Sequence, residues 1–368
     1  MMKNPARARV TAPSPGIPSV AALQELIRAD KLDEARRAVL LALGSGRRDA
    51  EFYALLGEIA LRRQQFARAR WPLARAVRMQ PRFGWHLMYA DCLRRLGETT
   101  EARLQRDLAA KEVPQTPLSF YACGRAFELD GALQRASDLY QEALRLDPSC
   151  ALASHRLGVI AIGEGRIAEA CDLLETSLRD MPHFVDAYID YGSALADMGR
   201  FEESVRLTRK ALALDSSQYA LWHNLGHALL NLDRSVEGIE ALDRALAIQP
   251  DSATSRFSRA TALLKTGQFE EGWREYEWRW RKTQIPRTDI AAPLWQGEPL
   301  SGQRILLHHE QGFGDSIQFI RFVPQLLELG AIVTLLVPTP LVRLFQGIPG
   351  VTQVAAVLDT GDGSFDFH

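Results

Sequence analysis

Residues 219–252 read YALWHNLGHALLNLDRSVEGIEALDRALAIQPDS, and the fold prediction starts from the pattern in this stretch. Its first half carries apolar and small residues at helical spacing: Trp222, Leu225, Gly226 and Leu229. Its second half does the same and then stops at proline: Gly238, Leu242, Ala245 and Pro250. A small residue in each half lets two helices approach closely, and proline cannot continue a helix. The stretch therefore predicts one helix-turn-helix unit.

The same unit recurs along the chain with a period of 34 residues. Glycine marks the first half of successive units at Gly124, Gly158, Gly192 and Gly226. A small residue marks the second half at Ala136, Ala170, Ser204, Gly238 and Gly272, and a turn position recurs at Gly131, Gly165, Gly199, Asp233 and Gly267. Repeats of this length stack on their neighbours. We therefore predict a helical solenoid over residues 19–285, with about seven to eight units.

These residues and this period resemble the tetratricopeptide repeat. The resemblance implies an α-solenoid in which the first helix of each unit lines a concave surface that binds proteins or peptides. On that surface we expect Arg125, Arg156, Asp190, Ser193, Asn224, His227 and Ser258. Some peptide-binding arrays repeat an asparagine at one position of this helix, but only Asn224 follows that pattern here. A solvated groove without a partner stays open as the alternative.

Composition narrows the functional classes. The apolar content of 46% is typical of globular chains. The net charge of −1 gives no bulk attraction to nucleic acid or to an anionic membrane. Four dispersed cysteines (Cys92, Cys123, Cys150 and Cys171) are typical of reduced thiols. With no run of 18 apolar residues, we expect a cytoplasmic protein without a membrane span. Residues 1–18 hold four prolines and predict a disordered tail.

The last repeat leads into a different kind of sequence. Four aromatic residues at helical spacing predict a stripe on one helix: Phe269, Trp273, Tyr276 and Trp280. Residues 286–298 contain two prolines before residue 294 and read as a linker. Residues 299–368 then alternate short apolar strands (304–308, 331–337 and 351–357) with helices (315–329 and 341–346). This order predicts a parallel α/β sheet.

The loop after the first of these strands is the candidate site of the second domain. Ligands bind at the carboxyl ends of parallel strands. Gly312 and Gly314 permit backbone conformations that direct N–H groups outward. Asp315 fits a helix N-cap, and a carboxylate there is also able to accept a proton from an attacking hydroxyl. The loop is thus either a capped turn or a catalytic element.

Two other site chemistries fit this loop poorly. A dinucleotide fingerprint needs a third glycine where Ile317 stands. A metal site needs more ligands than His308 and Glu310, the two residues that share a strand face. We therefore expect no metal site and no bound cofactor.

Three segments carry a second resemblance: 271–280 (EGWREYEWRW), 295–302 (WQGEPLSG) and 310–324 (EQGFGDSIQFIRFVP). They look like bacterial tetratricopeptide-repeat glycosyltransferases. The Gly314-Asp315 pair with Pro324 is also similar to glycosyltransferase family 9, the heptosyltransferases. The chain as a whole is distantly similar to O-GlcNAc-transferase-like enzymes with tetratricopeptide repeats.

This resemblance implies the Rossmann-like N-terminal half of a GT-B fold, the half that receives the acceptor. It puts Asp315 forward as general base, with Glu310, Gln311, Gly312 and Gly314 shaping the loop. A nucleotide-sugar donor and a glycan or protein acceptor are implied for the full-length enzyme. Residues 365–368 resemble an interior stretch of the family, so we expect an inactive fragment. The alternative is a non-catalytic adaptor with a vestigial α/β segment.

Overall fold

The computed structural model describes residues 18–281, 290, 292–310, 312–357 and 365–368. The chain divides into two compact units, Met1–Arg281 and Lys282–His368. The first is helical, and the second contains a small parallel sheet. The proposed domain limits at residues 18, 285 and 298 stay predictions. Residues 1–17 and 282–289, which flank two of these limits, lie outside the described part.

The described residues of the first unit form sixteen α-helices. They are α1 (Val20–Arg28), α2 (Leu32–Gly44), α3 (Ala50–Arg62), α4 (Phe66–Met79), α5 (Phe83–Arg95), α6 (Thr99–Lys111), α7 (Pro117–Leu129), α8 (Leu133–Leu146), α9 (Ala151–Gly163), α10 (Ile167–Asp180), α11 (Val185–Asp197), α12 (Phe201–Leu214), α13 (Tyr219–Asn231), α14 (Ser235–Ile248), α15 (Ala253–Lys265) and α16 (Phe269–Tyr276). Each odd-numbered helix packs on the even-numbered helix that follows it. The predicted solenoid of helix pairs is confirmed.

The predicted turn position inside each unit has a left-handed backbone. Four glycines and one aspartate hold positive φ there: Gly131 (75°), Gly165 (76°), Gly199 (73°), Asp233 (61°) and Gly267 (81°). Glycine reaches this region without a steric penalty, and aspartate is among the residues that tolerate it. The recurrent glycine thus reverses the chain between the two helices of a pair.

A second recurrent glycine lets the two helices of a pair approach closely. A Cβ atom placed on Gly226 would lie 2.7 Å from Cγ of Leu242. One placed on Gly124 would lie 2.6 Å from Cε1 of Tyr140. Both Leu242 and Tyr140 are fully buried. The large residue of the second helix therefore occupies the space that a side chain on the first helix would need.

The aromatic stripe at the end of the array is only partly as predicted. Helix α16 ends at Tyr276, and a 3₁₀ helix follows over Glu277–Arg281. The tighter turn moves Trp280 off the α-helical face, so the prediction of one continuous helix is wrong there. Tyr276 lies between Phe257 (ring centroids 5.2 Å apart) and Trp273 (5.5 Å). The stripe up to Tyr276 therefore packs partly on the preceding helix, α15.

The second unit is built around three short parallel strands. These are β1 (Arg304–His308), β2 (Ile332–Leu336) and β3 (Gln353–Ala355), hydrogen-bonded in the order β1-β2-β3. Leu306 pairs with Thr334, and Leu335 pairs with Val354. The predicted parallel α/β arrangement is therefore present as a small sheet, whereas its assignment to a Rossmann-like GT-B domain stays a prediction.

Three short helices accompany this sheet: α17 (Phe313–Phe319), α18 (Val323–Glu328) and α19 (Thr339–Phe345). A 3₁₀ turn at Ile320–Phe322 separates α17 from α18, and Pro324 lies in the first turn of α18. The predicted single helix is thus divided where proline allows a new start. The core of the unit contains Leu300, Ile305, Val323, Val333, Leu335, Leu341 and Phe345. Among the described residues, no helix is both long and apolar enough to cross a bilayer.

Candidate functional site

The first helices of successive pairs form a common surface, which we call the first-helix face. It consists of the solvent-facing side of α3, α5, α7, α9, α11, α13 and α15. Neighbouring members contact one another, for example α9 with α11 and α11 with α13. Repeat solenoids use extended surfaces of this kind for binding. Every partner residue that the sequence suggested lies on one of these helices.

Two of the suggested residues, Arg125 and Arg156, converge on one carboxylate. Arg125 Nη1 donates to Glu128 Oε1 at 3.0 Å, and Arg156 Nε donates to Glu128 Oε2 at 3.1 Å. The Tyr140 hydroxyl donates to the same carboxylate at 2.6 Å. Burial alone would raise the pKa of Glu128, but the hydrogen bonds from Arg156 and Tyr140 outweigh it and lower the pKa below its usual value. Glu128 therefore stays ionised and joins α7 to α9.

A second polar bridge joins α9 to α11. His155 is buried, and its Nε2 atom lies 2.7 Å from Oδ2 of Asp190. The ring of His155 also packs edge-on against Phe184, with centroids 4.7 Å apart. About a third of the Asp190 side chain (34%) stays exposed. Asp190 thus supports its neighbour and still reaches the surface.

Further bridges join α11 to α13 and α13 to α15. Asn224 Nδ2 donates to the backbone oxygen of Ile189 at 3.3 Å. His223 Nδ1 and the Tyr219 hydroxyl both lie 2.8 Å from Oγ of Ser255. We call these contacts, with those of Glu128 and His155, the polar ladder. It links α7 to α9, α9 to α11, α11 to α13 and α13 to α15.

The structure separates the suggested residues into two groups. Arg125, Arg156, Asp190 and Asn224 belong to the polar ladder. His227 and Ser193 are exposed. The Asn231 Nδ2 atom donates to the backbone oxygen of His227 at 2.9 Å and lies 3.4 Å from its Nε2 atom. Sequence reasoning missed Glu128 and His155. A signal was available, because two ladder pairs, 155–190 and 189–224, are each separated by 35 residues, one more than the period.

The loop of the second unit follows β1 and leads into α17. The N-cap of α17 is Gly312, with φ −76° and ψ 159°. Asp315 is therefore the third residue of the helix and not its cap, which corrects the prediction. Helix α17 begins earlier because Phe313 and Gly314 already adopt helical geometry. The carboxylate of Asp315 still lies in the first turn, where the helix dipole favours negative charge.

The loop glycines also differ from expectation. Neither Gly312 nor Gly314 has a positive φ, and a Cβ atom on either would meet nothing within 4 Å. These positions therefore do not need glycine for backbone conformation or close approach in this structure. Glu310 is half-buried. Gln311, the remaining loop residue, lies outside the described residues.

A cavity of about 350 Å³ lies beside this loop within the second unit. Its polar lining comes from four residues: His308, His309, Ser316 and His368. His309 Nδ1 lies 3.0 Å from Ser316 Oγ, and burial lowers the pKa of His308. The remaining lining is apolar and includes Phe319, Phe322 and Phe345. No three described His, Cys, Asp or Glu side chains are grouped so as to hold a metal ion.

Comparison with known families identifies the helical array. One tetratricopeptide-repeat family matches residues 161–228, and another matches residues 124–182 and 223–277. Residues 124–277 are tetratricopeptide repeats. The tetratricopeptide array is a scaffold suited to protein interaction. The family matches end at residue 277 and give no support to the glycosyltransferase resemblance of the second unit.

Two individual proteins are similar to parts of this chain. Protein FlbA of Caulobacter vibrioides is 39% identical over 80 residues, which are 21% of this chain and 13% of FlbA. The crystal structure of the APC/C hetero-tetramer Cut9-Hcn1 superposes with a TM-score of 0.55 at 17% identity, over 66% of this chain and 48% of the matched chain. This chain therefore spans less than two thirds of either relative. The second likeness shows the solenoid fold alone.

Proposed function

We propose that the protein is a docking scaffold whose first-helix face binds an extended segment of a partner protein. The polar ladder is the observation that carries this proposal. It fixes the positions of α7, α9, α11, α13 and α15 before any partner arrives. A surface that is ordered in advance loses less conformational entropy on binding.

The exposed groups of this face are suited to a peptide backbone. The imidazole of His227 and the hydroxyl of Ser193 offer hydrogen-bonding groups at the surface. Arg125 and Asp190 each keep about a third of the side chain exposed, 33% and 34%. In this proposal the ladder residues have two roles, because they hold adjacent helices together and present a charged edge to the partner.

A photo-crosslinking experiment tests the location of the docking surface. A benzophenone amino acid is placed at His227 on α13, and in a control at Val236, which is 67% exposed on α14. We expect crosslinks to a defined partner segment from position 227 only. That segment, made as a synthetic peptide, should bind the purified chain and compete with the crosslink. Equal crosslinking from position 236, or no binding by the peptide, would sink the proposal.

The second unit supports a second candidate function, sugar transfer in the full-length protein. The supporting observation is the 350 Å³ cavity beside the β1 loop, lined by histidines and by Ser316, the residue next to the exposed Asp315, which does not itself line the cavity. Following the resemblance, the Asp315 carboxylate would take the proton of an acceptor hydroxyl. That oxygen would form the new bond to the anomeric carbon of the sugar as the bond from this carbon to the nucleotide diphosphate breaks.

Asp315→Asn in the full-length protein tests this candidate, with Glu328→Gln on α18 as the control. We expect the aspartate variant to lose sugar transfer from a nucleotide-sugar and the control to keep it. Unchanged transfer by Asp315→Asn would remove the role of general base. If the unaltered protein transfers no sugar from any nucleotide-sugar tested, the docking scaffold stands alone.

A further inference from the structure

We propose that the segment bound on the first-helix face is ordered by charge, with an acidic stretch over α5, α7 and α9 and a basic stretch over α11. This inference rests on the proposed docking function and specifies its partner. It follows from the way charged residues are distributed along successive first helices.

Arginine predominates on α5, α7 and α9. Their charged residues are Asp91, Arg94, Arg95, Arg125, Glu128 and Arg156, four cations and two anions. Each anion is shared between two arginines. Asp91 lies 2.6 Å from Arg94 and 3.6 Å from Arg95, as Glu128 lies between Arg125 and Arg156. The charged residues of these three helices therefore sum to a formal charge of +2.

The positive stretch contains a cavity that fits an acidic side chain. It has a volume of about 170 Å³ and lies among α5, α6 and α7. Leu87 and Leu129 form part of its apolar wall, and Arg94 and Arg125 line it. Three further charged groups line this cavity: Asp91, Arg106 and Asp130. Each of the three lining arginines has a carboxylate partner: Arg106 pairs with Asp130 at 2.6 Å, Arg94 with Asp91 at 2.6 Å, and Arg125 with Glu128 at 3.0 Å. Because Glu128 is shared with Arg156, Arg125 is the arginine that an acidic ligand side chain would contact.

The next first helix reverses the sign. Every charged residue of α11 is an aspartate: Asp186, Asp190 and Asp197. Their spacing of four and then seven residues places them with Ser193 on one side of the helix. Asp186 and Asp197 are exposed. Helix α13 contains no Asp, Glu, Lys or Arg, so it brings no cation to neutralise them.

The spacing of the helices sets the size of the matching ligand. Packed helices lie about 8–10 Å apart, and an extended chain advances about 3.3 Å per residue, so each first helix corresponds to about three ligand residues. The acidic stretch, which covers three helices, should therefore occupy about nine residues, followed directly by a basic stretch of about three residues.

Fluorescence anisotropy tests the inference with three labelled peptides that contain the same numbers of glutamate and lysine residues in different orders. Two peptides carry a glutamate block and a lysine block in the two possible directions, and a third alternates glutamate with lysine. One block peptide should bind about tenfold more tightly than the alternating peptide, since several exposed ion pairs of a few tenths of a kcal/mol each sum to that ratio. The difference should shrink at high salt. Equal binding of all three peptides, or no binding, would overturn the inference.

Charge-reversal variants locate the effect. Asp186→Lys with Asp197→Lys should abolish the preference for the block peptide and create a preference for an all-glutamate peptide. Asp172→Lys with Asp180→Lys makes the same change in net charge on α10 and should leave the preference intact. Equal loss in both variants would contradict the assignment to α11. Equally tight binding of the segment crosslinked from position 227 when the order of its charged residues is changed is a separate outcome. That result would contradict this inference and leave the docking function standing.

Discussion

Leu242 occupies the space beside Gly226 so closely that a Cβ atom on the glycine would lie 2.7 Å from its Cγ. The carbonyl oxygen of Gly238 would lie 3.2 Å from that added Cβ atom, so the backbone of α14 as well as the leucine resists a shift. Gly192 holds the equivalent position one repeat earlier, where Thr208 replaces the leucine. There the nearest atom to an added Cβ is the Thr208 hydroxyl, at 3.0 Å.

Gly226→Ala should therefore destabilise the array more than Gly192→Ala. Overpacking costs about 1–3 kcal/mol, and alanine recovers about 1 kcal/mol of helix propensity, so we expect a net loss of up to about 2 kcal/mol at Gly226. At Gly192 the two effects should nearly cancel. Urea midpoints of the two variants measure the difference. Equal midpoints would contradict the role assigned to the recurrent glycine.

Thr208→Val should stabilise the protein. The Thr208 hydroxyl is buried and has no hydrogen-bond partner among the described residues. An unpaired buried polar group costs about 1–3 kcal/mol, and valine has nearly the same shape, so we expect a gain of about 1 kcal/mol. Thr176→Val is the control, because the Thr176 hydroxyl is already bonded to the Asp172 carbonyl at 2.9 Å. A lower melting temperature for Thr208→Val would show that its hydroxyl is satisfied in solution.

Glu128→Gln should weaken the polar ladder in a pH-dependent way. Removing the charge leaves Arg125 and Arg156 without their shared partner, and we expect a loss of about 1–3 kcal/mol at pH 7. Burial raises the pKa of Glu128, but the hydrogen bonds from Arg156 and Tyr140 outweigh it and hold the folded-state pKa below the ordinary glutamate value of 4.5. Its contribution is therefore present above about pH 4.5 and is lost as the pH falls through the lowered folded-state pKa.

Thermal melts of the unaltered protein and of Glu128→Gln between pH 3 and pH 7 measure this effect. The two melting temperatures should converge on the acidic side. Glu142→Gln, which removes an exposed pair with Arg145, should change little at any pH. A difference between Glu128→Gln and the unaltered protein that stays constant as the pH falls would mean that the charge of Glu128 is not the source of the stability.

The helix pairs were predictable because each depends on residues close together in sequence. Gly165 reverses the chain through its own backbone conformation, and Gly158 packs within its own unit on Leu174. Both signals recur every 34 residues, so each repeat reinforces the next. The same local rules led to β1 at residues 304–308.

The polar ladder was not predicted, because it depends on how one repeat sits on the next. His155 meets Asp190, 35 residues later, whereas His223 meets Ser255, 32 residues later, so the period of 34 does not by itself give the partner. The position of Asp315 was missed for a different reason. A capping aspartate was expected, but Gly312 takes the N-cap position and places Asp315 third in the helix, within its first turn.

In the proposed function, the first-helix face, and not another groove, binds the partner. The main competitor is a groove of about 880 Å³ among α12, α13 and α14, lined by Trp222, Arg209 and Arg244. Hydroxyl-radical footprinting of the chain, alone and with the peptide identified by crosslinking, distinguishes the two surfaces. We predict protection of His227 on α13, with Leu212 and Arg244 unchanged. Protection of Leu212 and Arg244, with His227 still fully reactive, would contradict the account.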